Sequence, residues 1–174
     1  MKKLACLLTA VALLVCSCSK EVKSDYDFKV VTKNELIDFI TKTNKAVPQA
    51  GLRVMSSVTY AVPDVRWIER TYTPFFYAYL FDNDLRTPTD LDNDCVKFTA
   101  HGLSSAYNLY HRTSNRPEKT ALAVGSFENW QGFGVHSFLF FIAMDNGKMV
   151  IVFYEPQTQR IIPVDPQDCY AWSM

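Results

Sequence analysis

The sequence has no excess of either charge, no apolar run of bilayer length and few of the residues that carry acid–base or thiol chemistry. Eighteen basic residues balance eighteen acidic ones and no basic block stands out. A nucleic-acid footprint needs clustered Lys and Arg, so that class of partner is excluded. The longest apolar run, Leu4 to Val15, is too short to span a bilayer as a stable helix. No internal repeat or low-complexity segment occurs. Histidine appears three times, which leaves few candidates for a general base. Against these absences, 48% of the 174 residues are apolar and 14% aromatic, enough to bury the core of one domain.

Lys2 and Lys3 stand ahead of the apolar run and small polar residues follow it. That is the layout of a secretory signal. The run ends in Val15-Cys16-Ser17-Cys18-Ser19, which resembles the bacterial lipobox, where a small residue precedes the lipidated cysteine. Ser17 before Cys18 fits that rule and Val15 before Cys16 fits it poorly; a plain cleaved signal is the alternative. The expectation is a lipoprotein signal over residues 1–17, an acylated Cys18, a polar tether over 18–31 and a single domain over 32–174. The lipid would hold the domain at the bacterial cell envelope. Loss of Lys2 and Lys3 leaves sixteen basic residues against eighteen acidic ones, so attachment would rest on the lipid and not on a polybasic patch.

Export also sorts the five cysteines. Cys6 and Cys16 leave with the signal and Cys18 carries lipid, so Cys95 and Cys169 remain in a compartment that permits disulfides. The plainest reading joins them to each other as a structural staple.

Thr32-Lys33-Asn34-Glu35 is a capping box, and Leu36, Phe39 and Ile40 follow at helical spacing; a short amphipathic helix is expected from Lys33 to about Asn44. Leu52 to Leu80 is rich in β-branched and aromatic residues and interrupted by Pro63 and Pro74, which reads as irregular strands and turns. Asp82 to Asp94 reads as an acidic loop. From Cys95 to about His111, the stripe Phe98, Thr99, Gly102, Ala106 and Leu109 predicts a helix whose small residues let it lie close on a sheet. Strands are expected at Leu122 to Phe127, His136 to Met144, Met149 to Glu155, Ile161 to Val164 and Tyr170 to Ser173. Asn146-Gly147 between two apolar runs predicts a type I′ hairpin. Its strands are apolar on both faces and belong in the middle of a covered sheet. The pattern is that of an α+β fold.

Cys95 opens its helix, where unpaired N–H groups carry partial positive charge that favours a thiolate. Three acids precede it. Asp90, Asp92 and Asp94 can face solvent, cap the helix or hold a calcium ion; a solvated turn is the commoner use of such a run. It is not an EF-hand, since Cys95 stands where that loop needs glycine and His101 where it needs glutamate. A thiolate needs a base. His101 and His111 lie too far along the same helix, which leaves His136. With Asn146-Gly147 as the loop, Asp145 opposes Lys148 and, counting outward, His136 opposes Gln157 and Phe138 opposes Glu155. His136, Gln157 and Glu155 then share one face, with Glu155 diagonal to His136 at roughly 7–8 Å between backbones. A helix-borne cysteine, a strand-borne histidine and a carboxylate to orient it form the logic of a thiol hydrolase.

The same residues carry a resemblance. Asp94-Cys95-x-x-Phe98, then Val135-His136-Ser137-Phe138, then Glu155-Pro156-Gln157-Thr158 resembles the papain-like C-terminal domain of the fairy-ring-mushroom agglutinin and related bacterial and phage proteins. The resemblance runs from about Val65 to Met174. It implies a papain-like fold with helices packed on an antiparallel sheet around a central hairpin. It implies Cys95 as nucleophile, His136 as general base and Glu155 as the orienting acid, acting on a peptide or protein substrate. Calcium dependence in the fungal relative gives Asp90, Asp92 and Asp94 a use as metal ligands. The agglutinin's sugar-binding domain is outside the resemblance. A competing reading keeps the fold without catalysis: an envelope lipoprotein, such as a phage-encoded one, that binds and masks a surface partner.

Replacing Cys18 with Ala is expected to release soluble or unprocessed protein from the membrane fraction. Cell fractionation checks this, and the same effect from Cys16→Ala but not Cys18→Ala would move the cleavage site.

Overall fold

The computed structural model describes residues 28–43, 52–53, 57–85, 94–114, 120–131, 134–164 and 169–174. The signal segment and Cys18 lie outside these residues. The fold is α+β. It opens with β1 (Lys29–Thr32), which pairs antiparallel with β3 (Thr59–Val62); β3 in turn pairs parallel with β4 (Thr120–Leu122). The tether expected over 18–31 therefore ends sooner. Phe28 already packs its ring edge-on against Trp67 and Tyr110, at 5.4 and 5.1 Å between centroids. Val30 and Val31, β-branched and next to that anchor, continue into the strand.

Helix α1 (Lys33–Thr43) starts at the expected capping box. The Thr32 N–H donates to Glu35 Oε2 at 2.7 Å and the Glu35 N–H donates to Thr32 Oγ1 at 3.2 Å. Leu36 and Ile40, one turn apart, are fully buried.

The segment read as irregular strands is mostly helical. It comprises α2 (Val65–Trp67), a π-helical turn (Ile68–Tyr72) and α3 (Thr73–Asp82). Asp64 caps α2 by accepting the Arg66 N–H at 2.8 Å. Pro74 follows directly on the π-helical turn, as the second residue of α3. The buried stripe is Ile68, Tyr72, Phe76 and Leu80, all without solvent exposure. A spacing of four drifts by about 40° per step in a regular α-helix. The wider π turn takes up part of that drift and keeps the four side chains on one core.

Helix α4 (Cys95–Thr113) carries the expected stripe, with Phe98, Thr99, Gly102, Ala106 and Leu109 all buried. It lies on a sheet of order β2-β9-β5-β6-β7-β8, comprising β2 (Leu52–Arg53), β5 (Val124–Gln131), β6 (Gly134–Asp145), β7 (Lys148–Glu155), β8 (Arg160–Ile162) and β9 (Cys169–Ser173). Every pairing in it is antiparallel except β2 with β9. The turn between β6 and β7 has φ of 47° at Asn146 and 80° at Gly147, the left-handed pair that a type I′ turn demands. Strand β6 is buried on both faces. Leu139, Phe141 and Ala143 join the core under α2 to α4, and Phe138, Phe140 and Ile142 join a second core with Leu36, Ile40, Tyr60 and Val62. Among the described residues no helix is long and apolar enough to cross a membrane.

The contact between α4 and β6 is set by Gly102. A Cβ there would stand 2.6 Å from Leu139 Cδ1 and 3.2 Å from the Tyr72 hydroxyl. Gly102→Ala is expected to lower unfolding free energy by about 1–3 kcal/mol in urea denaturation, the usual effect of overpacking. Combined with Leu139→Ala, which makes room, the loss should be smaller than the sum of the two single losses. Additive losses would contradict the close approach.

Candidate active site

Cys95 is the first residue of α4, half-buried and free of any disulfide. A Cys95–Cys169 staple is therefore not formed. The acid immediately before the thiol has a local task. Asp94 accepts the Lys97 N–H on its side chain at 2.9 Å and the Phe98 N–H on its carbonyl at 2.9 Å. Its carboxylate is turned to the helix backbone in the manner of an N-cap. Asp90 and Asp92 lie outside the described residues. Among the described residues no group of three or more acidic, His or Cys side chains could hold a metal ion, and one oxygen of Asp94 is taken by the cap. A calcium site on the acidic run would need Asp90 and Asp92, which lie outside the described residues.

His136 lies on β6. Its Nε2 is 2.6 Å from Glu155 Oε2. An ionised carboxylate only accepts, so Nε2 carries the proton and Nδ1 is left as the ring's acceptor. The Phe138 ring meets the imidazole edge-on at 4.3 Å. Glu155 is the last residue of β7 and only 8% exposed. Its second oxygen accepts the Gln157 N–H at 2.9 Å, so both oxygens of this buried carboxylate are engaged. Burial pushes the neighbouring Tyr154 phenol well up, and the charge of Glu155 adds to the effect.

Gln157 does not oppose His136. The β6–β7 pairing closes at Leu139 and Tyr154, the chain turns through 156–159, and β8 begins with Arg160 opposite Glu155. Pro156 has no N–H to extend the ladder, which is why pairing stops there. Gln157 serves through its backbone alone. The turn is closed by Gln159, in the left-handed region at φ 51°, whose side-chain amide donates to the carbonyls of Pro156 and Gln157 at 3.1 and 2.8 Å. Gln159 was not signalled by any pattern in the chain, because its role depends on a turn that the hairpin register did not foresee.

The other histidines lie elsewhere. His101 Nδ1 is 3.1 Å from the Tyr79 hydroxyl, and the His111 ring packs beside Tyr110. Two contacts relate the cysteine helix to the histidine strand. Thr99 Oγ1 donates to the Ser137 carbonyl at 3.1 Å, and Gly102 lies against Leu139. Both run in the same sense along α4 and β6. Cys95, one turn before Thr99, is about 6 Å further along the helix axis, in the direction of the start of β6. No hydrogen bond joins the thiol to His136. A cleft of about 560 Å³ lined by Asp64, Arg66, Glu69 and Asp145 lies at the far end of β6, beside the hairpin turn, away from these residues.

No protein-family model matches the sequence and no curated protein matches it. Several solved structures share the fold, among them the following two. One is described as a PSL1a–E64 complex, 17% identical, with a TM-score of 0.63 over 83% of this chain and 51% of that one. The other is Polyporus squamosus lectin bound to a human-type influenza-binding epitope, also 17% identical, with a TM-score of 0.59 over 83% of this chain and 49% of that one. This chain spans about half the length of each, and at such identity the likeness is one of fold.

Proposed function

We propose that this chain is an exported, lipid-anchored, papain-like cysteine hydrolase that cleaves peptide bonds, related to the papain-like agglutinin domains its motifs resemble. The observation that carries the reading is the 2.6 Å bond between His136 Nε2 and buried Glu155. Glu155 fixes the tautomer, so Nδ1 takes the Cys95 proton. The thiolate attacks the scissile carbonyl, and the imidazolium, stabilised by Glu155, returns the proton to the leaving amine. Water then hydrolyses the thioester by the same route. The Asp94 cap engages the Lys97 and Phe98 N–H groups, which leaves those of Cys95 and Val96 to face the oxyanion. The thiol–imidazole contact closes on substrate binding, as is common for catalytic hydrogen bonds. E64, named with one structural neighbour, is an epoxide that alkylates thiols, which suits a reactive cysteine on this fold.

The second reading, a binding module without catalysis, is favoured by the lectin named among the neighbours. In it the chain occupies an envelope or glycan partner and the thiol is idle.

Without reductant at neutral pH, iodoacetamide or E64 should modify Cys95, seen as a mass shift on its peptide. Cys95→Ala should abolish peptide hydrolysis. His136→Ala should lower it by about 10²–10⁴-fold, the usual weight of a positioned acid–base group. Glu155→Ala should lower it more than Gln157→Ala, because Gln157 contributes through its backbone, which the substitution keeps. Glycan or envelope binding that survives Cys95→Ala, with neither hydrolysis nor alkylation in the parent chain, would replace the hydrolase with the binding module.

A further inference from the structure

Strand β6 loses its β7 partner just where the cysteine helix meets it. In a two-residue hairpin the residues flanking the loop form a hydrogen-bonded pair, and bonded positions recur at every second residue. From Asp145, that alternation turns the backbone groups of Ala143, Phe141 and Leu139 toward β7. The even positions turn away from it: the Met144 N–H donates to the Pro63 carbonyl and the Ile142 N–H to the Ala123 carbonyl. The next residue whose carbonyl faces β7 is Ser137. Counting outward from Leu139 opposite Tyr154, its partner position is Pro156, which has no N–H to give. Ser137 is only 5% exposed, so water cannot readily stand in, and an unmet buried carbonyl is unfavourable. The missing donor comes from α4, through the Thr99 hydroxyl at 3.1 Å. Thr99 is itself 3% exposed.

We infer that Thr99 is a positioning residue, whose bond to Ser137 in place of the absent Pro156 N–H locks the Cys95 end of α4 against the His136 strand. Thr99 stands one turn after Cys95, and Ser137 directly follows His136. A single buried bond therefore links the helix that carries the thiol to the strand that carries the imidazole. The inference rests on the thiol–imidazole pairing proposed above and adds to it the element that sets the pair's spacing. Thr99 touches neither substrate nor reacting atoms.

The test is the rate of Cys95 alkylation by iodoacetamide against pH, on the folded domain, for the parent, Thr99→Val, Thr99→Ser and His136→Ala. A thiol paired with imidazole stays reactive below neutral pH. Thr99→Val should move the profile toward that of His136→Ala, with about a tenfold slower reaction near pH 6, the effect of one unit of displacement on the thiolate fraction. Thr99→Ser, which keeps the donor, should stay near the parent. Should Thr99→Val not fold, Thr99→Ala against Thr99→Ser isolates the same hydroxyl. A Thr99→Val profile that matches the parent while His136→Ala differs overturns the inference alone. A His136→Ala profile that matches the parent overturns the pairing and the inference together.

Discussion

Strand β6 carries large apolar side chains on both faces, and the rest of the molecule is arranged to keep water from them. Phe138, Phe140 and Ile142 are covered by α1, β1 and β3; Leu139, Phe141 and Ala143 are covered by α2, α3 and α4. Each such side chain contributes roughly 1.5–3 kcal/mol when fully buried, but only if the covering elements come close. On the helical side that demand falls on Gly102, where the backbone of α4 approaches Leu139 with no room for a Cβ. The axial position of the helix, and hence the height of Cys95 above the sheet, follows from the packing of a strand that carries the histidine.

The same strand changes character at its start. From Phe138 to Met144 it is apolar, and from Leu139 to Phe141 it is paired with both β5 and β7; Ser137 and His136 are polar and lie where β7 departs at Pro156. A site for chemistry needs polar groups held rigidly at the border of a packed core, and this is such a border. His136 is held by Glu155 on one nitrogen and by the Phe138 ring edge. Glu155 is held through its second oxygen by the turn that follows it. A buried carboxylate without partners is strongly unfavourable, and here both oxygens are met within the first two residues after the strand and by the residue it would orient.

Parts of this were legible in the chain and parts were not, for identifiable reasons. The Cys95 helix and the β6–β7 hairpin follow from local signals, a small-to-apolar stripe and an Asn-Gly turn, that tertiary structure had no cause to override. The closeness of His136 and Glu155 follows from the register such a turn imposes. The helical stretch over 65–82 was masked because Trp67, Tyr72, Phe75, Phe76, Tyr77, Tyr79 and Phe81 have the composition of strands. Its stripe also repeats strictly by four over three steps, a run that drifts around a regular α-helix and that the π turn brings back to one face. Gln157 was misplaced by extending a regular ladder past a proline. Thr99 was legible as part of the helix stripe but not in its bond to Ser137, and Gln159 was not legible at all, because both act on backbone carbonyls, which leave no pattern of side-chain types to read.

Negative charge beside a thiol opposes ionisation only if it points at the sulfur, and the Asp94 cap shows how an acid can precede a cysteine without that effect. Its Oδ1 is spent on the Lys97 N–H and its carbonyl on the Phe98 N–H, so the first turn is closed from below. The N–H groups of Cys95 and Val96 are not among those it consumes. An aspartate in this position therefore fixes where the helix begins, and with it which residue stands at N1, while sparing the two donors nearest the sulfur. A residue that could not cap would let the first turn fray, and the thiol would lose both its address and the partial positive charge around it. The acid behind the cysteine is the condition for the thiol's placement, and the Ser137 contact one turn later fixes that placement against the histidine strand.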